Sequence, residues 1–449
     1  MNGILADDMG LGKTVQTLAH LLVEKESGRM TKPSLVIAPT SLMPNWKSEA
    51  ARLAPSLKVL VLHGNERKLH FSKLNAFDLI LTTYPLLMRD RDFIIAQEFH
   101  LLILDEAQNV KNAKTQAYQV VQQIISKHRV CLSGTPMENH LGELWALFHL
   151  LLPGFLGDQK TFQAVYRKPI ETLGNLSRRE ALVKRINPFL LRRTKQQVAL
   201  ELPAKTEIIQ KIEFKEKQRD LYEAIRLRAQ QQVMIQIQDK GLARSQITVL
   251  DALLKLRQVC CDPRLVKTEG AAGVKESAKL ECLTDMLTQM LEENRKVLIF
   301  SQFTSMLAII AQMLTENKIA YTILTGETRD RETPVQEFQK GNVPVMLISL
   351  KAGGVGLNLT AADTVIHYDP WWNPSVENQA TDRAHRIGQQ KAVFVYKLVV
   401  AGSLEEKILA LQERKKGLVA SLIDSKADTG APLTMEDLEN IFQPLPAPI

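Results

Sequence analysis

The stretch that most constrains this chain is Gly3–Thr14, GILADDMGLGKT, where a short apolar run gives way to a loop containing glycines. The apolar run predicts a strand, and the apolar residues that follow at near-helical spacing predict a helix. Between them, Gly10 and Gly12 would let backbone N–H groups approach a triphosphate. Lys13 would reach its β- and γ-phosphates, and the Thr14 hydroxyl would bind Mg²⁺. The helix N-terminus would add a favourable dipole.

Length and composition limit the classes of protein to which this chain can belong. A chain of 449 residues suggests roughly two to four domains. Its 45% hydrophobic and 24% charged content is typical of a soluble globular protein. No apolar run approaches the ~18 residues of a membrane span, and the acidic N-terminal stretch is unlike a signal peptide. We therefore expect a cytoplasmic protein that does not interact with a membrane.

Cysteine usage and charge add two weaker expectations. The four cysteines have no zinc-site spacing, which favours reduced thiols. The net charge of +8 fits a polyanionic partner, although many cytosolic proteins are equally basic.

Two parts of the chain alternate strand-like and helix-like patterns, which predicts parallel sheets covered by helices. Between these parts, the pattern is almost entirely helical. We therefore predict an α/β fold of two parallel-sheet lobes with helical insertions between them. The expected boundaries are 1–140 for the first lobe, 141–270 for the helical part, 271–425 for the second lobe and 426–449 for a C-terminal tail.

An acidic pair, Asp105-Glu106, ends a buried-strand pattern. Asp105 could hold Mg²⁺ through its water shell, and Glu106 could polarise an attacking water. Taken alone, the pair is more typical of an ordinary helix N-terminus. Together with the Gly-Lys-Thr sequence about ninety residues earlier, it favours a nucleotide-hydrolysing site. Ser133–Pro136, SGTP, follows another strand pattern, and by itself it favours a plain turn over a phosphate sensor.

The second α/β part lacks a phosphate loop, but it carries two arginines in a polar cluster. Four side chains three or four residues apart are predicted to share one helix face: Gln379, Asp382, Arg383 and Arg386. An arginine placed beside a γ-phosphate can be worth about 10³–10⁵ in rate. The alternative is a surface helix with Asp–Arg pairs worth at most about 1 kcal/mol each. The tryptophan-rich stretch Asp369–Pro374, DPWWNP, favours loop anchoring over base stacking.

Taken in order, these motifs resemble those of the Swi/Snf-like ATPases of helicase superfamily two. The resemblance extends to about residue 425, and an aspartate at the position of Asp7 is usual in that family. The DEAQ variant is similar to bacterial members. The matching stretches are DDMGLGKT (7–14), APTSLMPNW (38–46), TTYPLL (82–87), DEAQNVKN (105–112), LSGTPMEN (132–139), IFSQFT (299–304), SLKAGGVGLNLT (349–360), DPWWNP (369–374) and QATDRAHRIGQ (379–389).

The resemblance implies two RecA-like lobes, ATP in the cleft between them, and double-stranded DNA tracked mainly through its phosphates. It assigns phosphate and Mg²⁺ binding to Lys13 and Thr14, Mg²⁺ binding to Asp105, and water activation to Glu106. It makes Arg383 and Arg386 arginine fingers and places Gln379 and Gly354 near the nucleotide. The implied DNA-backbone contacts are Pro39, Thr40, Thr82, Thr83 and Lys351.

The expected function is ATP hydrolysis that drives a monomeric motor along duplex DNA. A DNA-bound protein or RNA polymerase is compatible as a partner, and a bacterial protein would be associated with the nucleoid. Two alternatives stay open: a strand-separating DNA or RNA helicase, and an inactive nucleotide-binding fragment or scaffold.

The family normally carries, before the phosphate loop, a segment with a glutamine-bearing motif that reads adenine. This sequence starts at Met1-Asn2-Gly3. We therefore expect that segment to be absent here. In that case the chain is a fragment, its start is misassigned, or adenine is contacted in another way.

Overall fold

Buried apolar runs form two parallel sheets, one in each of two units that divide between Glu201 and Leu202. This confirms the predicted α/β fold class. The computed structural model describes residues 2–134, 137, 140–198, 201–241, 244–267, 269–271, 273–341, 343–353, 357–371, 374–410 and 435–446.

Unit 1 contains a seven-stranded parallel sheet in the order β3-β4-β2-β5-β6-β1-β7. Its central strands are buried on both faces, as expected of a parallel sheet covered by helices. The strands are β1 (Asn2–Leu5), β2 (Ser34–Ala38), β3 (Val59–Val61), β4 (Leu79–Thr83), β5 (Glu98–Asp105), β6 (Ile125–Leu132) and β7 (Leu190–Leu191).

Four helices of unit 1 begin at a residue whose side chain caps the helix. Thr83, Thr115, Asp158 and Asn175 each accept a hydrogen bond from a backbone N–H of the first helical turn. The α-helices are α1 (Lys13–Glu26), α2 (Met43–Leu53), α3 (Tyr84–Arg89), α4 (Arg91–Ile95), α5 (Gln116–Gln123), α6 (Leu141–Leu151), α7 (Gln159–Phe162), α8 (Lys168–Leu173), α9 (Leu176–Ile186) and α10 (Lys195–Val198).

Unit 2 contains a six-stranded parallel sheet in the order β10-β11-β9-β12-β13-β8. Its strands are β8 (Lys205–Ile212), β9 (Val297–Ser301), β10 (Tyr321–Leu324), β11 (Val345–Ser349), β12 (Thr364–His367) and β13 (Val393–Val400). Its α-helices are α11 (Glu216–Lys240), α12 (Gln246–Cys261), α13 (Ala278–Glu292), α14 (Thr304–Glu316), α15 (Glu332–Lys340), α16 (Leu350–Gly353), α17 (Pro374–Thr381), α18 (404–410) and α19 (Met435–Ile441).

The expectation that strands nearly vanish between residues 141 and 270 is wrong at β8. This strand, KTEIIQKI, lies at the edge of the unit 2 sheet and pairs along its whole length with β13. Most of its side chains are exposed or half-buried, so it has no continuous apolar run. An edge strand of this kind is set by pairing with a distant partner, and that pairing leaves little trace in local sequence.

Within the described ranges, no helix combines the length and the apolar composition that crossing a bilayer requires.

Candidate nucleotide-binding site

The predicted phosphate loop is a loop in the structure. It occupies residues 6–12 between the end of β1 and the start of α1. Gly10 and Gly12 have φ angles of 86° and 74°, in the region that favours glycine, and Gly12 is the N-cap of α1. The two glycines therefore let the backbone turn from strand to helix over these few residues. Thr14 is the second residue of that helix and is partly exposed.

Strand register brings the acidic pair to the same edge of the sheet. Leu5 of β1 pairs with Leu132 of β6, and Leu132 pairs with Asp105 of β5. The three strands therefore end side by side. The sequence predicted that the acidic pair and the phosphate loop act together, and unit 1 places both at its carboxyl edge.

The Lys13 ammonium lies on the backbone of its own loop. Its Nζ donates to the carbonyl oxygens of Asp7 at 2.7 Å and Asp8 at 3.3 Å. Burial lowers the pKa of Lys13, and the nearby carboxylates of Glu106 and Asp105 oppose that shift. A partly desolvated cation among such neighbours is well placed to bind anionic phosphate oxygens.

Asp105 is held by two neighbours. The indole Nε1–H of Trp46 donates to its Oδ2 at 2.7 Å, and the Tyr84 hydroxyl donates to its backbone carbonyl at 2.8 Å. Burial and the adjacent Glu106 carboxylate raise the pKa of Asp105 to about 7, against the hydrogen bond from Trp46. A buried carboxylate in this setting is stabilised by a nearby cation.

Glu106 adopts a left-handed backbone conformation, with φ 48° and ψ 55°. The Gln108 side chain donates to its Oε2 at 2.8 Å, and Ser133 Oγ donates to Gln108 Oε1 at 2.9 Å. A strained non-glycine conformation, supported by a chain of hydrogen bonds, is a feature that clusters at functional sites. It fixes the direction of the carboxylate that was predicted to polarise water.

The loop after β6 is more than the plain turn that its sequence favours. Ser133 is fully buried and belongs to the hydrogen-bonded chain that reaches Glu106. A Cβ built on Gly134 would lie 3.9 Å from Lys13 Nζ, so this loop lies against the phosphate loop. Sequence pattern alone could not reveal this contact, because Ser133 and Gln108 are brought together only by sheet order. Thr135 and Pro136 lie outside the described residues.

Arg193, in the stretch 191–195 (LRRTK), lies beside the phosphate loop through contacts that its local sequence does not predict. Its guanidinium pairs with the buried Asp7 carboxylate at 2.5 Å. The one signal in the sequence was Asp7 itself, an acidic residue at the position where the general phosphate-loop pattern G-x-x-x-x-G-K-(S/T) has its first glycine.

The predicted DNA-contact residues of unit 1 follow two neighbouring strands. Pro39 and Thr40 come directly after β2, and Thr82 and Thr83 end β4. Thr40 is exposed, whereas Thr82 and Thr83 are buried, and Thr83 Oγ1 accepts a hydrogen bond from the backbone N–H of α3. Only the first pair therefore offers surface for direct contact.

In unit 2, the prediction of one helix face for the polar cluster is wrong. α17 ends at Thr381, and Gln379 is the only one of the four within it. The N–H of Arg383 bonds back three residues to Ala380, which tightens the chain into successive turns. The Arg383 side chain is buried, and Arg386 donates to the Leu357 carbonyl at 3.3 Å.

Two other residues predicted to act in unit 2 lie wholly or partly outside the described residues. Gly354 lies outside the described residues, and so does the side chain of Lys351 on α16.

Trp371 of the DPWWNP stretch anchors its loop, as the sequence favoured. The Arg257 guanidinium lies 5.1 Å from the centre of its ring, and its backbone N–H donates to Glu377 at 2.6 Å. Trp372 lies outside the described residues.

The fold and site of unit 1 define a phosphate-loop nucleotide-binding protein. Comparison with known families is more specific. The model of the SNF2-related domain matches residues 1–265, and the model of the helicase conserved C-terminal domain matches residues 278–388. The chain therefore belongs to the SNF2 family, whose members hydrolyse ATP.

Three known proteins illustrate the similarity. YwqA of Bacillus subtilis, named as a candidate ATP-dependent helicase/translocase, is 40% identical over 98% of this chain and 48% of its own length. Human SWI/SNF-related matrix-associated actin-dependent regulator of chromatin subfamily A member 1 is 34% identical over 94% of this chain and 41% of its own length. The SWI2/SNF2 ATPase core of Sulfolobus solfataricus, solved with double-stranded DNA, is 36% identical, with 98% and 92% coverage and a TM-score of 0.46. The chain thus spans less than half the length of the two curated relatives.

Proposed function

We propose that this chain is the motor core of an ATP-dependent translocase on double-stranded DNA. The observation that carries the proposal is the arrangement at the carboxyl edge of the unit 1 sheet. There the Lys13 ammonium, the phosphate-loop glycines and the Asp105-Glu106 pair meet within a SNF2-family chain.

The residues at this edge fit ATP with Mg²⁺. Lys13 would bind the β- and γ-phosphates, and the backbone at Gly10 and Gly12 would approach them closely. Thr14 and Asp105 supply the oxygen ligands that Mg²⁺ prefers, and the buried carboxylate gains from a cation. When bound, the ion would neutralise charge that develops on the phosphates.

Glu106 would orient and polarise the attacking water. Gln108 donates to its carboxylate and Ser133 donates to Gln108, so the position of the Glu106 carboxylate depends on the loop after β6. Because that loop also lies against Lys13, the two catalytic side chains share one support.

The second lobe of the same chain would complete catalysis. Arg383 and Arg386 would stabilise the charge on the γ-phosphate, with Gln379 and Gly354 near the nucleotide. Their nucleotide-dependent engagement would favour a closed arrangement, and hydrolysis would release it. Work can come only from different affinities of the nucleotide for the two states.

The protein would bind the DNA backbone at Pro39 and Thr40 in unit 1 and at Lys351 in unit 2. The buried Thr82 and Thr83 would support this surface from the neighbouring strand. Binding of this kind is indifferent to sequence and weakens steeply with salt. The human relative's name describes a regulator of chromatin, which fits a DNA partner. A DNA-bound protein or RNA polymerase would be a partner on that DNA.

Steady-state ATP hydrolysis with and without DNA tests the proposal. We expect duplex DNA to stimulate hydrolysis, Lys13→Ala and Glu106→Gln to abolish it, and the exposed-lysine control Lys68→Ala to leave it unchanged. Stimulation by RNA or single strands alone would instead support a strand-separating helicase. ATP binding without turnover in the wild type would support a nucleotide-dependent scaffold.

The role of the arginines needs its own variants. Arg383→Ala and Arg386→Ala should lower turnover by about 10³-fold or more with ATP affinity largely retained. Arg329→Ala, an exposed arginine in the same unit, is the matched control. Full turnover in both test variants would contradict a catalytic role for these two arginines.

A further inference from the structure

The aspartate that replaces the first glycine of the phosphate loop is completely buried and ion-paired. Asp7 Oδ2 lies 2.5 Å from Arg193 Nη2, and the Arg193 Nε lies 3.2 Å from both carboxylate oxygens. Arg193 Nη2 also donates to Gln16 Oε1 at 2.6 Å, and Gln16 donates to Asp7 Oδ2 at 3.3 Å. These three side chains, which we call the Asp7 clasp, join the loop, the first turn of α1 and the 191–195 segment.

Backbone bonds extend the clasp along the start of the loop. Ala6 N–H donates to the Leu191 carbonyl at 2.7 Å, and Asp8 N–H donates to the Arg193 carbonyl at 3.0 Å. The Arg193 N–H donates back to Asp7 Oδ1 at 2.9 Å, and the Lys195 N–H donates to Asp8 Oδ2 at 3.0 Å. Residues 6–8 are thus held beside the 191–195 segment in the manner of two paired strands.

This support reaches the phosphate-binding ammonium directly. The two carbonyl oxygens that hold Lys13 Nζ belong to Asp7 and Asp8, the residues pinned by the clasp. Arg193 also cancels a buried negative charge close to where phosphates would bind. Without that arginine, the Asp7 carboxylate would repel the phosphates and compete for Lys13, because charges interact strongly in a desolvated site.

We propose that Arg193 is a positioning residue for the nucleotide: by neutralising Asp7 and fixing residues 6–8, it sets the place of Lys13. This rests on the proposed ATP site. It also gives the phosphate loop a link to the chain that leads out of unit 1, because Arg193 lies shortly before the boundary at Glu201 and Leu202.

The test measures binding of MgADP carrying a fluorescent ribose label to the 449-residue chain. Arg193→Gln should raise the dissociation constant by about tenfold or more, since it leaves a buried charge unpaired. Asp7→Asn with Arg193→Gln removes both charges, so the double variant should return to within about threefold of wild type. Asp7→Asn alone should bind at least as tightly as the double variant, because Arg193 then faces the phosphates unpaired.

A role in folding alone would not produce this order of affinities. Wild-type affinity in Arg193→Gln, or a double variant as weak as that single variant, would overturn the proposal. If Arg193→Gln fails to fold, Arg193→Lys keeps the charge but loses the multiple contacts, and it should bind with intermediate affinity. Equal affinity to wild type there would also overturn it.

The matched control is Arg52→Gln, an exposed arginine on α2. It should bind MgADP as the wild type does, and an equal loss in this control would contradict a specific role for Arg193. A wild-type protein that binds no adenine nucleotide would instead refute the proposed function, so the two failures are distinguishable.

Discussion

The hydrogen bond from Trp46 to Asp105 gives a sharp test of how the acidic pair is held. Trp46 on α2 is fully buried, and its Nε1–H lies 2.7 Å from Asp105 Oδ2. Trp46→Phe keeps an aromatic ring in the core but removes the donor. The perturbation therefore acts on one identified contact of the proposed Mg²⁺ ligand.

Its magnitude follows from two contributions. A hydrogen bond to a charged group contributes about 1.5–3 kcal/mol. The smaller ring leaves part of the core unfilled, which costs about 1 kcal/mol more. We therefore expect Trp46→Phe to lower the free energy of unfolding by about 2–4 kcal/mol. Loss of a partner that orients a metal ligand typically weakens metal affinity or activity by about 10–100-fold.

The assay is ATP hydrolysis titrated with Mg²⁺, together with urea unfolding. Trp145→Phe is the matched control, because its indole donates to the Gly157 carbonyl at 3.1 Å, away from the acidic pair. The control should lose stability but keep the Mg²⁺ concentration for half-maximal activity. Equal Mg²⁺ dependence in Trp46→Phe, Trp145→Phe and wild type would refute the reasoning.

Two further predictions concern the stability of unit 2. Lys279 and Glu405 form a buried ion pair at 2.6 Å, so Lys279→Met should cost about 3–5 kcal/mol in urea unfolding. The double variant with Glu405→Gln should cost less, and fully additive losses would contradict this. Burial lowers the pKa of His367 to about 4, from 6.5 in the unfolded chain. The contribution of neutral His367 to the free energy of unfolding should therefore be fully present above pH 6.5 and fall by about 3 kcal/mol as the pH drops towards 4. A wild-type dependence of unfolding free energy on pH that matches the dependence of His367→Gln would be evidence against it.

Local sequence predicted the elements that local forces determine. The apolar run Ser34–Ala38 is the strand that its composition indicates, and the glycines of residues 6–12 form the expected loop. The position of Asp105 and Glu106 at the end of a buried strand was also predicted, because an apolar run followed by acidic residues is visible in one short stretch.

Contacts between distant segments were not predictable in the same way. Arg193 reaches Asp7 across 186 positions of the chain, and Trp46 reaches Asp105 across 59. Such pairs arise from strand order and helix placement, which no single stretch encodes. The same limit explains β8, an edge strand whose partner lies far along the chain.

The end of α17 shows a different limit. The spacing of Gln379, Asp382, Arg383 and Arg386 is compatible with a helix, but spacing alone does not fix where the helix stops. Backbone bonds from Arg383 to Ala380 and from Ala384 to Thr381 tighten the chain there. Element ends are decided by such local competition between helix types.

Movement along duplex DNA is the central claim, and displacement of a third strand from a DNA triplex measures it most directly. A translocase that moves along the duplex should release the third strand in the presence of ATP and Mg²⁺ without separating the duplex. Lys13→Ala and Glu106→Gln should release none. If duplex DNA stimulates ATP hydrolysis while the triplex stays intact from either side, translocation is contradicted and only a DNA-stimulated ATPase remains.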